Sequence, residues 1–294
     1  MEIDIDFIGI GFPKTATSWI HQCLGEHPNI CVAQPKETRY FASQGLLYNQ
    51  DSFEDIYQPD LTGYSDFFSH CTGEQIRGEF DTNYIYDKTA LTRIHNHFPD
   101  INIIISVRNP YERAISQYKH IASKSKSGYD YTDFTEALAD YEFMHLNKYS
   151  AHLQKVFSVF QKEQIYTLNF DTIKASPTTA IHEIYDFLEV DYNFTPAAAQ
   201  EKHNSSATRR SAVMNMFFRT HNIVSTLPMG KKVIQAVKTT GINSQSLANL
   251  VNTFSSQDKS FQFPAKKKKE INSEIAKTEE LLGWDLKNWK RSIE

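Results

Sequence analysis

The chain has 294 residues, with 31 Lys and Arg against 35 Asp and Glu and a formal charge of −4, which lacks the basic excess of a general nucleic-acid binder. Hydrophobic residues at 40% and aromatics at 13% are enough to bury a sizeable core, and this excludes a disordered chain. No run of about 18 apolar residues occurs, so no membrane-spanning helix is expected. At about 150 residues per domain the length admits two domains. The pattern below suits one α/β domain over residues 1–294, with a less regular cap or insertion at about 194–265. Cys23, Cys31 and Cys71 form no C-x-x-C pair, and their odd number predicts reduced thiols. The opening MEIDIDFIGIGF carries acid where a secretory signal carries positive charge, so a cytoplasmic location is expected.

The apolar run Ile5 to Ile10 breaks at Gly9-Ile10-Gly11-Phe12-Pro13, the pattern of a strand entering a turn. Trp19, Ile20, Cys23 and Leu24 then share one helical face. The unit recurs. Leu91, Ile94 and Phe98 mark a helix, and Ile101 to Val107 is a continuous apolar run of the kind buried in a parallel sheet. A second helix follows at once, with Asn109 as N-cap, Pro110 in its first position and Glu112 placed to close a capping box. Leu153, Val156, Phe157 and Phe160 give a further helical stripe, Ile165 to Phe170 a strand, and Ser176-Pro177 caps a helix carrying Ile181, Ile184 and Leu188. Alternating strands and helices predict a mostly parallel central sheet flanked by helices. Ligands of such sheets bind beyond the carboxyl ends of the strands. From about Phe194 to Phe263 periodicity fades, and the lysine run Lys266 to Lys269 reads as a solvated helix start. His95 and His97 read as the exposed end of the helix before Ile101, because metal ligands at zinc spacing are missing beside them.

The turn FPKTATSW places Lys14, Thr15, Thr17 and Ser18 between a strand and a helix. Free N–H groups and the dipole of a helix start attract an anion, and the lysine and hydroxyls add to that cradle. A nucleoside-triphosphate loop, G-x-x-x-x-G-K-[ST], does not fit. Ile8 and Pro13 stand where its glycines belong, and proline has no N–H to offer a phosphate. The turn resembles the 5′-phosphosulfate loop, P-K-[ST]-G-T-[TS]-W, of sulfotransferases that use 3′-phosphoadenosine 5′-phosphosulfate (PAPS). Ala16 replaces that family's glycine, and alanine is strained there if the position needs a positive φ.

A second signature, INIIISVRNPYERAISQY, resembles the family's 3′-phosphate motif, in which an arginine at a strand end precedes a serine by eight residues, here Arg108 and Ser116. A guanidinium can grip phosphate through two parallel hydrogen bonds, and Ser116 lies about two turns into the same helix. KYSAHLQKVFSVFQKEQIYTLNFDTIKASP and TEELLGWDLKNW resemble further blocks of carbohydrate and bacterial sulfotransferases, and KHNSSATRRS resembles their N-x-S…R segment. The resemblance implies a single-domain, P-loop-like α/β sulfotransferase fold. PAPS would be the co-substrate and 3′,5′-adenosine bisphosphate (PAP) the product, with no metal. It assigns the nucleotide to Lys14, Thr15, Ala16, Thr17, Ser18, Trp19, Arg108 and Ser116, with Arg209 and Arg210 as additional 3′-phosphate contacts.

For the reaction, Lys14 beside the bridging oxygen suits stabilisation of the leaving phosphate. The glycan-type branch takes its general base from a K-E-x-H-x-F-like motif, which KETRYF matches through Lys36 and Glu37, with Arg39 in place of the histidine. Burial raising the Glu37 pKa would suit it to accept the acceptor's proton. Phe80 stands where that branch commonly has lysine, and Asp81 and Tyr84 are candidate lining of the acceptor pocket. The expected acceptor is a small-molecule or natural-product hydroxyl or a sugar, with an amine as the less favoured nucleophile. A P-loop-type nucleotide kinase and a non-catalytic nucleotide-binding protein are the competing readings.

Overall fold

The structure is a computed structural model, and it describes residues 3–45, 53–73, 75–123, 131–200 and 261–292. Five strands, β1 (Phe7–Gly11), β2 (Ile30–Val32), β3 (Ile76–Phe80), β4 (Asn102–Val107) and β5 (Ile165–Asn169), form one sheet in the order β2-β3-β1-β4-β5. Every pairing is parallel. The sheet is parallel because each strand is followed by a crossover, and most crossovers contain a helix. These helices include α1 (Thr17–Gly25), α2 (Lys88–His97) and α3 (Pro110–Ser123). Then come α4 (Phe134–Ala139), α5 (Tyr141–His145), α6 (Tyr149–Phe157), α7 (Phe170–Ala175), α8 (Pro177–Phe187), α9 (Ala197–Gln200) and α10 (Ala265–Leu282). One compact unit comprises Met1–Glu201 with Gln262–Glu294, and Lys202–Phe261 falls outside it.

β1 is buried along its whole length, and its two neighbours lead into the loops that matter most. A Cβ at Gly9 would stand 2.1 Å from the Phe80 ring, so glycine there lets β3 close against β1. Phe7, Phe80, Trp19, Ile20 and Leu24 then join Ile181, Ile184 and Leu188 of the α8 region in one apolar core. Each large apolar side chain fully buried in this way stabilises the fold by about 1.5–3 kcal/mol. The predicted caps hold. The Asn109 carboxamide accepts from the Tyr111 N–H at 2.9 Å, and the Ser176 hydroxyl accepts from the Thr179 N–H at 3.4 Å. Glu112 does not close the expected box with Asn109; its carboxylate turns to Arg108 and Lys174.

Two expectations are corrected. Cys31 and Cys71 form a disulfide rather than free thiols, with Cα atoms 5.7 Å apart and only Cys23 left unpaired. Forty residues separate them in sequence, and β2 at the sheet edge brings Cys31 beside the segment that enters β3. His95 and His97 in the last turn of α2 are half-buried rather than exposed. His97 meets the Tyr57 hydroxyl at 2.8 Å and packs on Phe41, while the His95 ring lies edge-on to Phe160. The stretch covering most of the expected 194–265 insertion lies outside the described residues.

Candidate active site

The loop between β1 and α1 turns through two residues in the left-handed region, Lys14 at φ 69° and Ala16 at φ 72°. Left-handed residues set among right-handed ones turn successive N–H groups toward a common concavity, an anion nest. Ala16 is the N-cap of α1 without a side-chain cap, so the first-turn amides and the dipole are left for an external anion. Thr17 and Ser18 open the helix at this point. Thr15 faces the other way. Its hydroxyl donates to the Phe12 carbonyl at 2.5 Å and meets the Ser106 hydroxyl of β4 at 2.5 Å, which ties the loop to the neighbouring strand.

β4 ends one residue before Arg108, and Arg108 Nη1 donates to the Lys14 carbonyl at 3.3 Å. The two cationic turns therefore lie against each other at the tips of adjacent strands. Glu112 accepts from Arg108 at 3.0 Å and from Lys174 at 2.8 Å, and the Arg108 guanidinium lies 4.3 Å from the Phe170 ring centroid. The guanidinium is thus held in place, with Nε and Nη2 both on Glu112 Oε2 and Nη1 on the Lys14 carbonyl. Tyr149 joins the two turns from beneath. Its hydroxyl donates to the Arg108 carbonyl at 2.9 Å, and its ring lies 4.4 Å from that of Phe12.

The third component follows β2. Glu37 pairs with Lys36 at 2.7 Å and accepts from the Thr82 hydroxyl at 3.4 Å. Burial pushes the Glu37 carboxyl up, but the Lys36 charge and hydrogen bond, with Thr82 and Arg39, hold it below the usual range. The expected upward shift is therefore reversed, and Glu37 is ionised at neutral pH. His21 of α1, lowered first by burial, also senses the charges of Lys36 and Glu37. The same ring meets the Ala33 carbonyl at 3.2 Å, which ties α1 to the segment leading from β2 to Glu37.

A profile of the sulfotransferase family matches residues 6–194, well over half of the chain and a span that includes all three components. The chain belongs to the sulfotransferase family. It is 26% identical over 214 residues to bifunctional heparan sulfate N-deacetylase/N-sulfotransferase 3 of Homo sapiens, a match covering 67% of this chain and 24% of that protein. To carbohydrate sulfotransferase 15 of Mus musculus it is 23% identical over 264 residues, covering 69% of this chain and 47% of the relative. The chain thus spans about a quarter to a half of these relatives' length. A sulfotransferase from Alicyclobacillus acidocaldarius shares the fold, with a TM-score of 0.67 at 19% identity over 98% of this chain and 100% of that one.

Within this sulfotransferase, the structure brings Lys14, Ala16, Thr17, Ser18 and Arg108 together and places Ser116 on α3, the helix that Arg108 precedes. It gives other residues different work. Trp19 sends its indole into the core, where Nε1 donates to the Ala198 carbonyl at 3.0 Å, so only its backbone belongs to the first turn at the nest. Phe80 is core between β1 and α1. Asp81 and Tyr84 do not line an open wall; both are fully buried beneath the Glu37 loop. Arg209 and Arg210 lie outside the described residues. Sequence reasoning missed Ser106, Tyr149, Thr82 and Lys174, whose partners lie far away along the chain. The one available signal was Tyr149, the first residue of the Y-x-x-x-L block. Among the described residues, Cys31, His70 and Cys71 present ligand atoms within 4.8 Å of one another, but the two sulfurs are already joined.

Proposed function

We propose that this sulfotransferase moves a sulfuryl group from PAPS to a hydroxyl of a sugar acceptor, with an amine as the less favoured nucleophile. The carrying observation is the Arg108 contact with the Lys14 carbonyl, which sets two cationic turns side by side on neighbouring strands. That spacing suits one ligand with an anion at each end. The nest at Lys14 and Ala16, with Thr17 and Ser18, would take the 5′-phosphosulfate, and Arg108 with Ser116 would take the 3′-phosphate. Bound PAPS supplies an activated sulfuryl group. Lys14 neutralises charge developing on the leaving phosphate. Arg108 and Ser116 orient the donor through a remote phosphate. Glu37, already ionised, accepts the proton of the attacking hydroxyl.

The relatives named for heparan sulfate and carbohydrate favour a sugar acceptor over a small natural-product alcohol. Pro13, which has no N–H, opposes the kinase reading. A non-catalytic nucleotide binder would take PAP and yield no sulfated product. The cytoplasmic placement is also a proposal, and the Cys31–Cys71 bridge speaks against it. Thiol alkylation of protein trapped from its native cells tests it, because a reducing cytosol would keep Cys31 and Cys71 open.

Calorimetric titration with PAP tests the nucleotide site, and mass spectrometry of desulfated glycosaminoglycan oligosaccharides incubated with PAPS tests the transfer. Wild type is expected to bind PAP, with Arg108→Ala weakening binding about 10- to 100-fold, the loss of charge-assisted hydrogen bonds. Lys14→Ala is expected to abolish product. Absence of heat with PAP, together with binding of ATP–Mg²⁺, would sink the reading in favour of the kinase.

A further inference from the structure

The Glu37 loop has an unusual backbone. Glu37 at φ 64° and Arg39 at φ 58° both occupy the left-handed region without being glycine. Such a backbone is strained and persists only where surrounding contacts over-determine it. Those contacts come, residue by residue, from the end of β3. The Glu37 N–H donates to the Phe80 carbonyl at 2.9 Å. The Thr38 hydroxyl donates to the Glu79 carboxylate, which also accepts from the Tyr64 hydroxyl at 2.8 Å. The Arg39 N–H donates to Asp81 Oδ2 at 2.7 Å. The Thr82 hydroxyl reaches the Glu37 carboxylate itself, and the Tyr84 hydroxyl accepts from the Phe41 N–H at 3.3 Å.

Asp81 is the joint of this clamp. Its own N–H donates to the Gly9 carbonyl at 2.8 Å, which fixes it to the strand that leads into the anion nest. Its second carboxylate oxygen accepts from the Asn83 N–H at 2.9 Å and from the Asn83 carboxamide at 2.5 Å. Both oxygens are thus committed, the residue has no exposed surface, and no substrate reaches it. A buried carboxylate is costly unless it is paired in this way. Burial does push its pKa up to about 6, opposed by the Asn83 bond and helped by the nearby Glu37 charge. The buried carboxylate therefore ties the Arg39 amide, two residues from Glu37, to the Asn83 turn that follows β3.

We propose that Asp81 is a positioning residue for sulfuryl transfer: by accepting the Arg39 N–H while Asn83 holds its other oxygen, it locks the 37–39 turn and so fixes the direction of the Glu37 carboxylate. The inference rests on the reading of Glu37 as proton acceptor. Asp81→Asn keeps the shape but supplies only one acceptor oxygen where the native carboxylate supplies two, so either Arg39 or Asn83 loses its partner. In single-turnover transfer from PAPS to a desulfated glycosaminoglycan oligosaccharide, Asp81→Asn is expected to lower the rate about 10- to 100-fold, the scale of a misplaced catalytic group. PAP affinity should stay within about twofold, because a factor of two is under 1 kcal/mol. Hydrogen–deuterium exchange should show the Arg39 amide exchanging faster.

Glu37→Gln is run in parallel. It should lose turnover while leaving the Arg39 amide protected. If Glu37→Gln keeps full activity, the base assignment fails, whatever Asp81 does. If Glu37→Gln is inactive but Asp81→Asn transfers at the wild-type rate, or loses PAP binding as much as turnover, the positioning role is overturned. Should Asp81→Asn fail to fold, Asn83→Ala decides: it removes the carboxamide donor and leaves Asp81 Oδ1 held by the Asn83 N–H alone. The same pattern of slower transfer, retained PAP affinity and faster Arg39 exchange is expected, and an unchanged rate rejects the proposal.

Discussion

Ala16 shows how a single side chain can sit at odds with its backbone. It caps α1 at φ 72°, where a Cβ crowds the following carbonyl, and it does so at the point where the anion nest must form. Ala16→Gly should therefore raise unfolding free energy by about 1 kcal/mol and leave PAP affinity in place. Urea unfolding with a PAP titration checks both, and destabilisation by glycine would show that the turn carries no strain. Glu37 makes a prediction in pH. A base works only when deprotonated, and Lys36 holds this carboxyl below its usual range against the opposing effect of burial. Protonation of Glu37 itself should then lower turnover only in acid, below the ordinary glutamate range. A limb near pH 6 would instead point to a group like Asp81, whose carboxyl burial raises to about 6.

At the level of elements, the arginine turn depends on the C-terminal segment. After α10 the chain ends its helix at Gly283, φ 68°, and folds back so that Trp289 is buried. Trp289 Nε1 donates to the Asp171 carboxylate at 2.6 Å, and the Trp289 carbonyl accepts from the Asn109 carboxamide at 3.4 Å. Asp171 shares Lys174 with Glu112, and Glu112 holds Arg108. A chain of contacts thus runs from the TEELLGWDLKNW segment to the residue assigned to the 3′-phosphate. Trp289→Phe keeps most of the apolar bulk but removes the N–H donor to a carboxylate. It should cost about 1.5–3 kcal/mol, read by denaturant titration. A variant as stable as wild type would mean that Asp171 finds another donor.

For the whole molecule, the Cys31–Cys71 bridge closes a span of 40 residues that contains the Glu37 loop. By loop-closure entropy a bridge of that length is worth about 4 kcal/mol, with about 2–4 kcal/mol usual in practice. Cys31→Ser with Cys71→Ser should lower stability by that amount. Wild type treated with a thiol reductant should match the double variant. If reductant and substitution both leave the urea midpoint unchanged, the bridge contributes nothing to the folded chain. Among the described residues no helix is long and apolar enough to cross a membrane.

Much of this protein follows from local pattern. The runs at Ile5–Ile10 and Ile101–Val107 foretell β1 and β4, because strands buried on both faces are apolar nearly throughout, and Ile165–Phe170 foretells β5, a half-buried edge strand. Lys14 and Arg108 are legible because each sits in a strand–helix turn whose chemistry is set by near neighbours in sequence. β2 is less legible, since three residues carry no period, and so is β3, whose IRGEF includes two charges. Long-range contacts were hidden altogether. The disulfide, the Thr15–Ser106 tie and the grip of Asp81 on Arg39 join residues 40, 91 and 42 apart. Periodicity reports which face a residue presents, not which distant residue it meets. The sign of the Glu37 shift depended on such a meeting, since burial alone argued upward and the arrangement of Lys36, Arg39 and Thr82 around the carboxylate reversed it.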